Sequence, residues 1–402
     1  MTLPTVKRDP ERPLSILVTG GGTGGHVGPA LAVIAELRRL EPGILLQYVG
    51  SATGIEARLA RETGVEFVGV ATGKLRRSPK GRRGLLTKAN LKDALRVPKG
   101  ILQAGRAVRQ FRPDAVLATG GYVCVPAVVA AWLRRVPVLA HEQTVTIGLA
   151  NRIAGRFARR IAVTFAGSID DLAPRLRRKA FVTGNPVRMA IFDGDRDRAV
   201  SRFGLDPDDD RLPCVIVMGG VQGARAVNHA VRDAVPRLVE HCRVMHQCGA
   251  ADASELLQLH AAMPSARRRR WIVRPFVDSD EIGDWYAMAD VLVGRSGAGT
   301  VAEACALGLA AVFVPLEPTS GDEQLRNAQR SVDAGAAIVI RQGDLSADAV
   351  IAALDALLDR GQGGARRQAM ADAARSLATP NATVELTDAL LALARTRRVS
   401  RR

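Results

Sequence analysis

Twice along the chain a short apolar run ends in a glycine-rich turn that opens directly into a helical pattern. "LSILVTG" leads through "GGTGGHVGP" into "PALAVIAELRRL", and from Cys214 "CVIVMGG" leads into "QGARAVNHAVRDAVPRL". Similar units recur as "ILLQYVG" before "GIEARLARETG", "AVLATGG" before "PAVVAAWLRR" and "DVLVGRSG" before "AGTVAEACALG", with "VPVLAHEQ" and "RIAVTF" as further strand-like runs. Strands separated by helices pair in parallel, because only a long crossover can return the chain to the same edge of a sheet. The pattern predicts an α/β fold of two doubly wound, Rossmann-like domains facing across a cleft, with ligand beyond the carboxyl ends of the strands. It restarts after "VTGNPVR" (182–188), so the expected domains are 14–186 and 187–375, followed by a helix and basic tail over 376–402. A length of 402 residues suits two or three domains of about 100–200 residues each.

Composition narrows the partners. The formal charge is +17, which draws a chain toward something anionic: nucleic acid, a phosphorylated substrate or an acidic membrane surface. Basic residues cluster in "KLRRSPKGRR" (74–83), "RLRRK" (175–179), "RRRRW" (267–271) and "RTRRVSRR" (395–402); for the last two, arginines on ordinary solvated faces are an equal reading. Only 4% of residues are aromatic and none is interleaved in a basic run as a base-stacking surface requires, so nucleic acid is set aside. Five cysteines without a C-x-x-C pair point to free thiols and not to a metal site. The opening "MTLPTVKRDPERP" is polar, without the apolar core of a secretion signal. The longest apolar stretch, "ALGLAAVFVPL" (306–316), is shorter than the ~20 residues of a membrane span.

Gly20, Gly22 and Gly25 satisfy the G-x-G-x-x-G spacing of dinucleotide-binding turns. That chemistry also needs an acid at the end of the second strand to hold ribose hydroxyls. Here the strand runs into "QYVGSATG", and the nearest acid, Glu56, already belongs to the next helix. The loop therefore reads as an anion-cradling helix mouth: glycines let a ligand approach, and helix N–H groups and dipole favour negative charge. His26 stands in that mouth with an intrinsic pKa near neutrality, either as a general base or as a capping or packed histidine. "TGGYVCVPAVVAAWL" (119–133) repeats the construction. His141, Glu142 and Gln143 end an apolar strand, where ligand contact and a buried hydrogen-bond network are both open readings. "VMGGVQGARAVN" (217–228) suits a diphosphate. In "RSGAGTVAEACALG" (295–308), small residues expose N–H groups while Glu303 offers a carboxylate to ribose hydroxyls or simply complements the helix dipole. Asp322, Glu323, Gln324 and Asn327 sit in a loop that suits sugar hydroxyls or plain solvent.

From about residue 14 to 390 the chain resembles the peptidoglycan-synthesising members of glycosyltransferase family 28. The resemblance rests on "GGTGGHV", "GGYV" with Pro126, "HEQ", "GNPVR", "QGAR", "RSGA" and "GDEQLRNA", all in the family's order. It implies a GT-B fold, with UDP-N-acetylglucosamine as co-substrate in the C-terminal domain and a polyprenyl-diphosphate-linked muramoyl peptide as acceptor in the N-terminal one. Inverting transfer to the acceptor's C4 hydroxyl follows, with no obligatory metal; "DRD" at 195–197 lies in an expected linker. Residue by residue, Thr23, Gly24, Gly25 and His26 match the catalytic loop, and Arg188 matches a nucleotide-contacting arginine. Val221 falls in the donor-phosphate loop and Val277 matches a backbone contact to uracil. Ala298, Gly299, Thr300, Val301, Ala302 and Glu303 match the diphosphate and ribose segment, and Gln324 a sugar-binding glutamine. Tyr122, His141, Glu142, Gln143, Thr144 and Asn151 fall on the acceptor side.

The chain departs from that pattern at several positions. Gly28 replaces an aromatic, Cys124 and Val125 a Ser-Gly pair, Thr144 an Asn, Val221 a Ser, and Glu323 a His or Gln. A lipid acceptor accounts for the charge, because "GLLTKANLKDALRVPKGILQ" (84–103) with Trp132 makes an apolar patch ringed by cations. An amphipathic helix packed on the core is the other reading. The resemblance thus implies a peripheral enzyme at the cytoplasmic face of the cell membrane, with cell-wall and division proteins as candidate partners. Competing readings are a GT-B enzyme with another lipid acceptor, a UDP-N-acetylglucosamine 2-epimerase, and a non-catalytic paralogue that binds lipid-linked sugars.

Overall fold

The computed structural model describes residues 12–73, 88–206, 212–220, 222–318, 322–359 and 361–400. Its chain divides into two compact units: residues 1–143, 147–183 and 383–402 form the first, and 144–146 with 184–382 the second.

The first unit holds a seven-stranded parallel sheet. Its strands are β1 (Ser15–Thr19), β2 (Leu45–Ser51), β3 (Glu66–Val70), β4 (Ala115–Ala118), β5 (Val138–Glu142), β6 (Arg160–Val163) and β7 (Ala180–Val182), in the order β3-β2-β1-β4-β5-β6-β7. β1, β4 and β5 are buried along their whole length, as strands covered by helices on both faces must be. The second unit repeats the plan with β8 (Cys214–Met218), β9 (Arg243–Gln247), β10 (Trp271–Arg274), β11 (Val291–Gly294), β12 (Ala310–Phe313) and β13 (Ala337–Val339), ordered β10-β9-β8-β11-β12-β13. Each unit is therefore a doubly wound α/β domain. The apolar stretch 306–316 is no span but the end of a helix followed by the fully buried β12. Among the described residues no helix is long and apolar enough to cross a membrane.

The structure revises the last segment and the linker. The helix Ala382–Val399 does not stand apart: from Thr383 it belongs to the first unit, where Leu386, Leu390 and Ala394 pack with Ile16, Val18 and Leu117. Its described basic end is tied to the first unit by ion pairs and hydrogen bonds. Arg398 Nη2 lies 2.8 Å from the buried Asp114 carboxylate, Arg395 2.6 Å from Glu41, and Arg397 donates to the Pro113 carbonyl at 3.3 Å. "RRRRW" is similarly engaged: Arg267 pairs with Glu240 at 2.8 Å and Arg269 with Asp206 at 3.3 Å, while Arg268 and Arg270 bond carbonyls. The described arginines of both clusters thus make bonds within the protein, while Arg267, Arg268, Arg269 and Arg395 stay exposed as the solvated-face reading expects. "DRD" is not linker either; Asp195 caps the helix Arg196–Phe203, accepting the Arg198 N–H at 2.7 Å.

Asp114 is the hub of the terminal clasp, since the same carboxylate oxygen accepts the Ser15 N–H and hydroxyl, each at 3.1 Å. Asp114→Ala leaves the Arg398 guanidinium unpaired and removes the acceptor from the start of β1. We expect a loss of about 3–5 kcal/mol in the stability of the first unit, read as faster amide exchange in β1 and β4 under increasing denaturant.

Candidate active site

In a doubly wound sheet, neighbouring strands whose crossovers leave in opposite directions open a crevice at their carboxyl ends. In the first unit these strands are β1 and β4, paired in register from Ile16 with Ala115 to Thr19 with Ala118. The loops "GGTGG" and "TGGYV" leave from there and interlock. Gly21 donates its N–H to the Gly120 carbonyl at 3.2 Å. A Cβ on Gly121, which has φ +75°, would overlap the Gly21 carbonyl, so only glycine fits that turn.

His26, in the first turn of the helix Gly24–Leu40, is half-buried against the second loop. Cβ atoms on Gly120 or Gly121 would each come to 3.1 Å from its ring. Its Nδ1 lies 3.1 Å from the Thr119 carbonyl and 3.0 Å from Gln143 Oε1. Gln143 is oriented by its own Nε2, which donates to the Thr119 carbonyl at 2.6 Å. Both neighbours of Nδ1 are acceptors, so Nδ1 carries the proton and Nε2 holds the lone pair. A histidine held this way is a base with its accepting nitrogen turned from its protein partners.

The other acceptor-side residues divide. His141 and Gln143 are buried and joined, Nδ1 to Nε2, at 3.1 Å. The buried Glu142 accepts from the Gly148 N–H at 2.8 Å and from Asn151 Nδ2 at 2.9 Å. Asn151 also donates to the His141 carbonyl at 3.0 Å, while its Oδ1 is buried without a partner. Of the two readings for "HEQ", the buried network is the observed one, and Gln143 links it to His26. Thr144 groups with the second unit and bonds the Thr146 carbonyl at 2.8 Å. Tyr122 is half-buried beside Gly22, where a Cβ would lie 3.0 Å from its ring. Thr23 is exposed and leaves the helix N-terminus uncapped. Gly24 and Gly25 form the first turn, and a Cβ on Gly28 would meet nothing within 4 Å. The Cys124 thiol is fully buried, and burial pushes its pKa up to about 12; Val125 is half-buried beside it.

Glu56 explains the failed dinucleotide fingerprint in physical terms. Fully buried, its carboxylate accepts the Gly22 N–H at 3.2 Å and the Ser51 N–H at 2.9 Å. Cβ atoms on Gly21 or Gly54 would overlap that carboxylate. The nearest acid to the glycine spacing is thus turned back into the glycine loop. Its place in the sequence shows only a helical glutamate.

In the second unit the crevice opens between β8 and β11. The loop after β8 enters the helix Arg225–Leu238 with no side-chain cap; Val221 lies outside the described residues. A Cβ on Gly223, at φ +76°, would overlap the Cys248 carbonyl, so the turn depends on glycine there too. The loop after β11 enters the helix Ala298–Leu307, also without a side-chain cap. The half-buried Ala298, Gly299 and Thr300 present the N–H groups that no preceding turn can satisfy. Val301 and Ala302 pack on the neighbouring core, and Asn185 of "GNPVR" donates to the Ala298 carbonyl at 3.1 Å.

Glu303, one turn on, is gripped from two sides. Arg188 Nε and Nη2 donate to its Oε1 at 3.1 and 2.9 Å, and the Tyr286 hydroxyl donates to Oε2 at 2.7 Å. The nearby carboxylate raises the Arg188 pKa, so the guanidinium keeps its charge. Burial, then the Glu303 charge, raises Tyr286 well above the usual phenol range. Tyr286 was not singled out from sequence, because "DWYAMAD" reads as core. Val277 is buried ahead of the Tyr286 helix, Ile282–Ala287. Arg295 points away from any carboxylate, donating to the Val314 and Pro315 carbonyls, each at 3.0 Å. Gln324 Oε1 accepts the Leu316 N–H at 3.0 Å; Glu323 beside it is exposed. Beyond this loop, Glu317, Asp322, Arg341, Gln342 and Asp344 line an open cavity of about 720 Å³. Among the described residues no cluster of three or more His, Cys, Asp or Glu could hold a metal ion.

Two doubly wound domains with glycine loops and uncapped helices at their switch points make the architecture that of a GT-B enzyme. The chain belongs to glycosyltransferase family 28, whose N-terminal domain model matches residues 16–163 and C-terminal domain model residues 214–385. It is 34% identical over 385 residues to a Desulforudis audaxviator protein, spanning 95% of this chain and 99% of that one. That relative is named UDP-N-acetylglucosamine–N-acetylmuramyl-(pentapeptide) pyrophosphoryl-undecaprenol N-acetylglucosamine transferase. The crystal structure of Acinetobacter baumannii MurG is similar with a TM-score of 0.66 and 27% identity, over 94% of this chain and 99% of that one. A UDP-GlcNAc 2-epimerase from Neisseria meningitidis shares the fold alone, with a TM-score of 0.63 and 14% identity over 94% of this chain and 100% of that one.

The tautomer of His26 is directly measurable. Gln143→Leu removes one of two acceptors on Nδ1, a bond worth about 1 kcal/mol. We expect 15N spectra of the neutral ring to show almost wholly Nδ1–H in the parent protein and a several-fold larger Nε2–H fraction in the variant.

Proposed function

We propose that the chain transfers N-acetylglucosamine from UDP-N-acetylglucosamine to the C4 hydroxyl of a polyprenyl-diphospho-N-acetylmuramoyl pentapeptide, in peptidoglycan synthesis. The hydroxyl oxygen attacks the anomeric carbon from the face opposite UDP. The bond from that carbon to the phosphate oxygen breaks, inverting the centre, and UDP leaves with the electron pair. His26 Nε2 takes the hydroxyl proton, a contribution of ~10²–10⁴-fold. The N–H groups of Ala298, Gly299 and Thr300, with the loop after β8 and Arg188, meet the charge that grows on the departing diphosphate. Glu303 accepts the ribose hydroxyls, the backbone at Val277 meets uracil, and Gln324 meets the donor sugar. Tyr122, Asn151 and the loops around His26 take the acceptor sugar and its diphosphate.

The observation that carries this reading is the position of His26 Nδ1 between two oxygen acceptors, Thr119 and Gln143, at the mouth of an uncapped helix. The similarity along nearly the whole length of the D. audaxviator transferase supports the same substrates. Incubation with UDP-N-acetylglucosamine and a lipid-linked muramoyl acceptor is expected to yield the disaccharide-lipid. Epimerised donor without acceptor, or no product at all, would sink the assignment. His26→Ala should lower turnover by at least about 100-fold while UDP still binds.

The proposed acceptor is membrane-bound, and the first unit offers a docking face for it. Leu102, Trp132 and Leu133 are 70%, 50% and 62% exposed, on two helices that pack together, Lys88–Phe111 and Cys124–Leu133. Trp132 leans on Phe157 at 5.2 Å between ring centroids, and Arg106, Arg134 and Arg135 are exposed on the same two helices and the turn after them. Residues 84–87, and the side chains of Leu91, Lys92 and Leu95 in the expected amphipathic patch, lie outside the described residues. Apolar side chains among cations suit reversible attachment to an anionic leaflet, which supports the reading of a peripheral enzyme at the cytoplasmic face of the cell membrane with cell-wall and division proteins as partners. Co-sedimentation with anionic vesicles, weakened at least several-fold by Trp132→Ser with Leu133→Ser, is the expected result. Equal binding to neutral and anionic vesicles would argue against it.

A further inference from the structure

We infer that Tyr286 is a positioning residue that holds the Glu303 carboxylate in the plane needed to accept the ribose 2′-hydroxyl of a uridine nucleotide. The inference rests on the proposed role of Glu303 as the ribose acceptor.

The torsion that turns a glutamate's carboxylate is broad and nearly free. Arg188 does not fix it, because both of its donors converge on one oxygen, Oε1. A carboxylate pinned through one oxygen can still swing the other. The Tyr286 hydroxyl takes Oε2 at 2.7 Å from a different element, the helix Ile282–Ala287, and so closes the remaining rotation. Tyr286 is only 3% exposed, its ring packs in the core with Leu292 and Ile191, and Glu303 is the partner of its hydroxyl. An ionised carboxylate offers about four acceptor positions, so three occupied by protein donors orient the group and leave one, on Oε2, for the ribose 2′-hydroxyl. Val277 lies on the segment entering the same helix, which ties the ribose carboxylate to the strip of chain expected to meet the base.

The test is calorimetric binding of UDP and 2′-deoxy-UDP to the full-length protein, its Tyr286→Phe and Glu303→Ala variants and the double variant. The parent is expected to prefer UDP by about tenfold or more, and Glu303→Ala to erase that preference. Tyr286→Phe should cut the preference by about fivefold, weaken 2′-deoxy-UDP little, and add nothing in the Glu303→Ala background. If Glu303→Ala keeps the full preference, the ribose role of Glu303 itself fails and the inference with it. If Glu303→Ala loses the preference while Tyr286→Phe keeps it, the ribose role stands and the positioning role is overturned. Equal weakening of both nucleotides by Tyr286→Phe overturns it too, as would be seen for a residue that merely packs. Should Tyr286→Phe not fold, site-specific 3-fluorotyrosine keeps the ring and alters only the donor. The UDP preference must then change, and an unchanged ratio overturns the inference.

Discussion

An α-helix begins with N–H groups that its own turns cannot satisfy, and the candidate sites of this protein are built on that deficit. The helices starting at Gly24 and Cys124 in the first unit, and at Arg225 and Ala298 in the second, have no side-chain cap. Each follows a strand that borders the switch point of its sheet, where the winding direction reverses and no crossover covers the strand ends. Parallel pairing therefore does more than build a core. It delivers unsatisfied donors to an open crevice, and the glycines in between keep backbone, not side chains, at the surface of that crevice.

The same deficit is answered differently in the two units, and by the same residue type. In the first, Glu56 fills the turn before the Gly24 helix from within, taking the Gly22 and Ser51 N–H groups. In the second, no carboxylate among the described residues bonds the turn before Ala298. Glu303 stands one turn further on, charge-matched by Arg188 and hydrogen-bonded by Tyr286. Glu56 takes the Gly22 N–H from any ligand of the first glycine loop, whereas the helix mouth at Ala298 keeps its first N–H groups. Arginine use follows a similar logic: Arg398 at the Asp114 clasp, and Arg267 and Arg269, are held in intramolecular pairs.

Much of this was legible in the sequence. The alternation of apolar runs and helical patterns announced two doubly wound domains, because that pattern has few other ways to bury its strands on both faces. The loops with His26, Gly121, Gly223 and Ala298 were visible as glycine or small-residue turns between a strand and a helix. The sequence could not choose between the readings of His141 and Glu142, since ligand contact and a buried network call for the same residues. It gave no sign that the helix after Ala382 returns to cover Ile16 and Leu117, because an amphipathic stripe does not say which surface it will meet.

What the sequence determined by itself is the set of chemical parts: glycine turns after strands, a histidine at one helix mouth, a glutamate one turn into another. These are local, being properties of the spacing of residues along a few turns of chain. Only the tertiary structure decided how each part is used. Glu56 and Glu303 are both helical glutamates in sequence, yet one is folded into a loop and the other faces an arginine and a tyrosine. His26 has its ring orientation fixed only because Thr119 and Gln143, distant in the chain, bring two acceptors to the same nitrogen. The directions in which a carboxylate or an imidazole can give or take a proton are set by its neighbours in space, and those neighbours are chosen by the order of strands in a sheet.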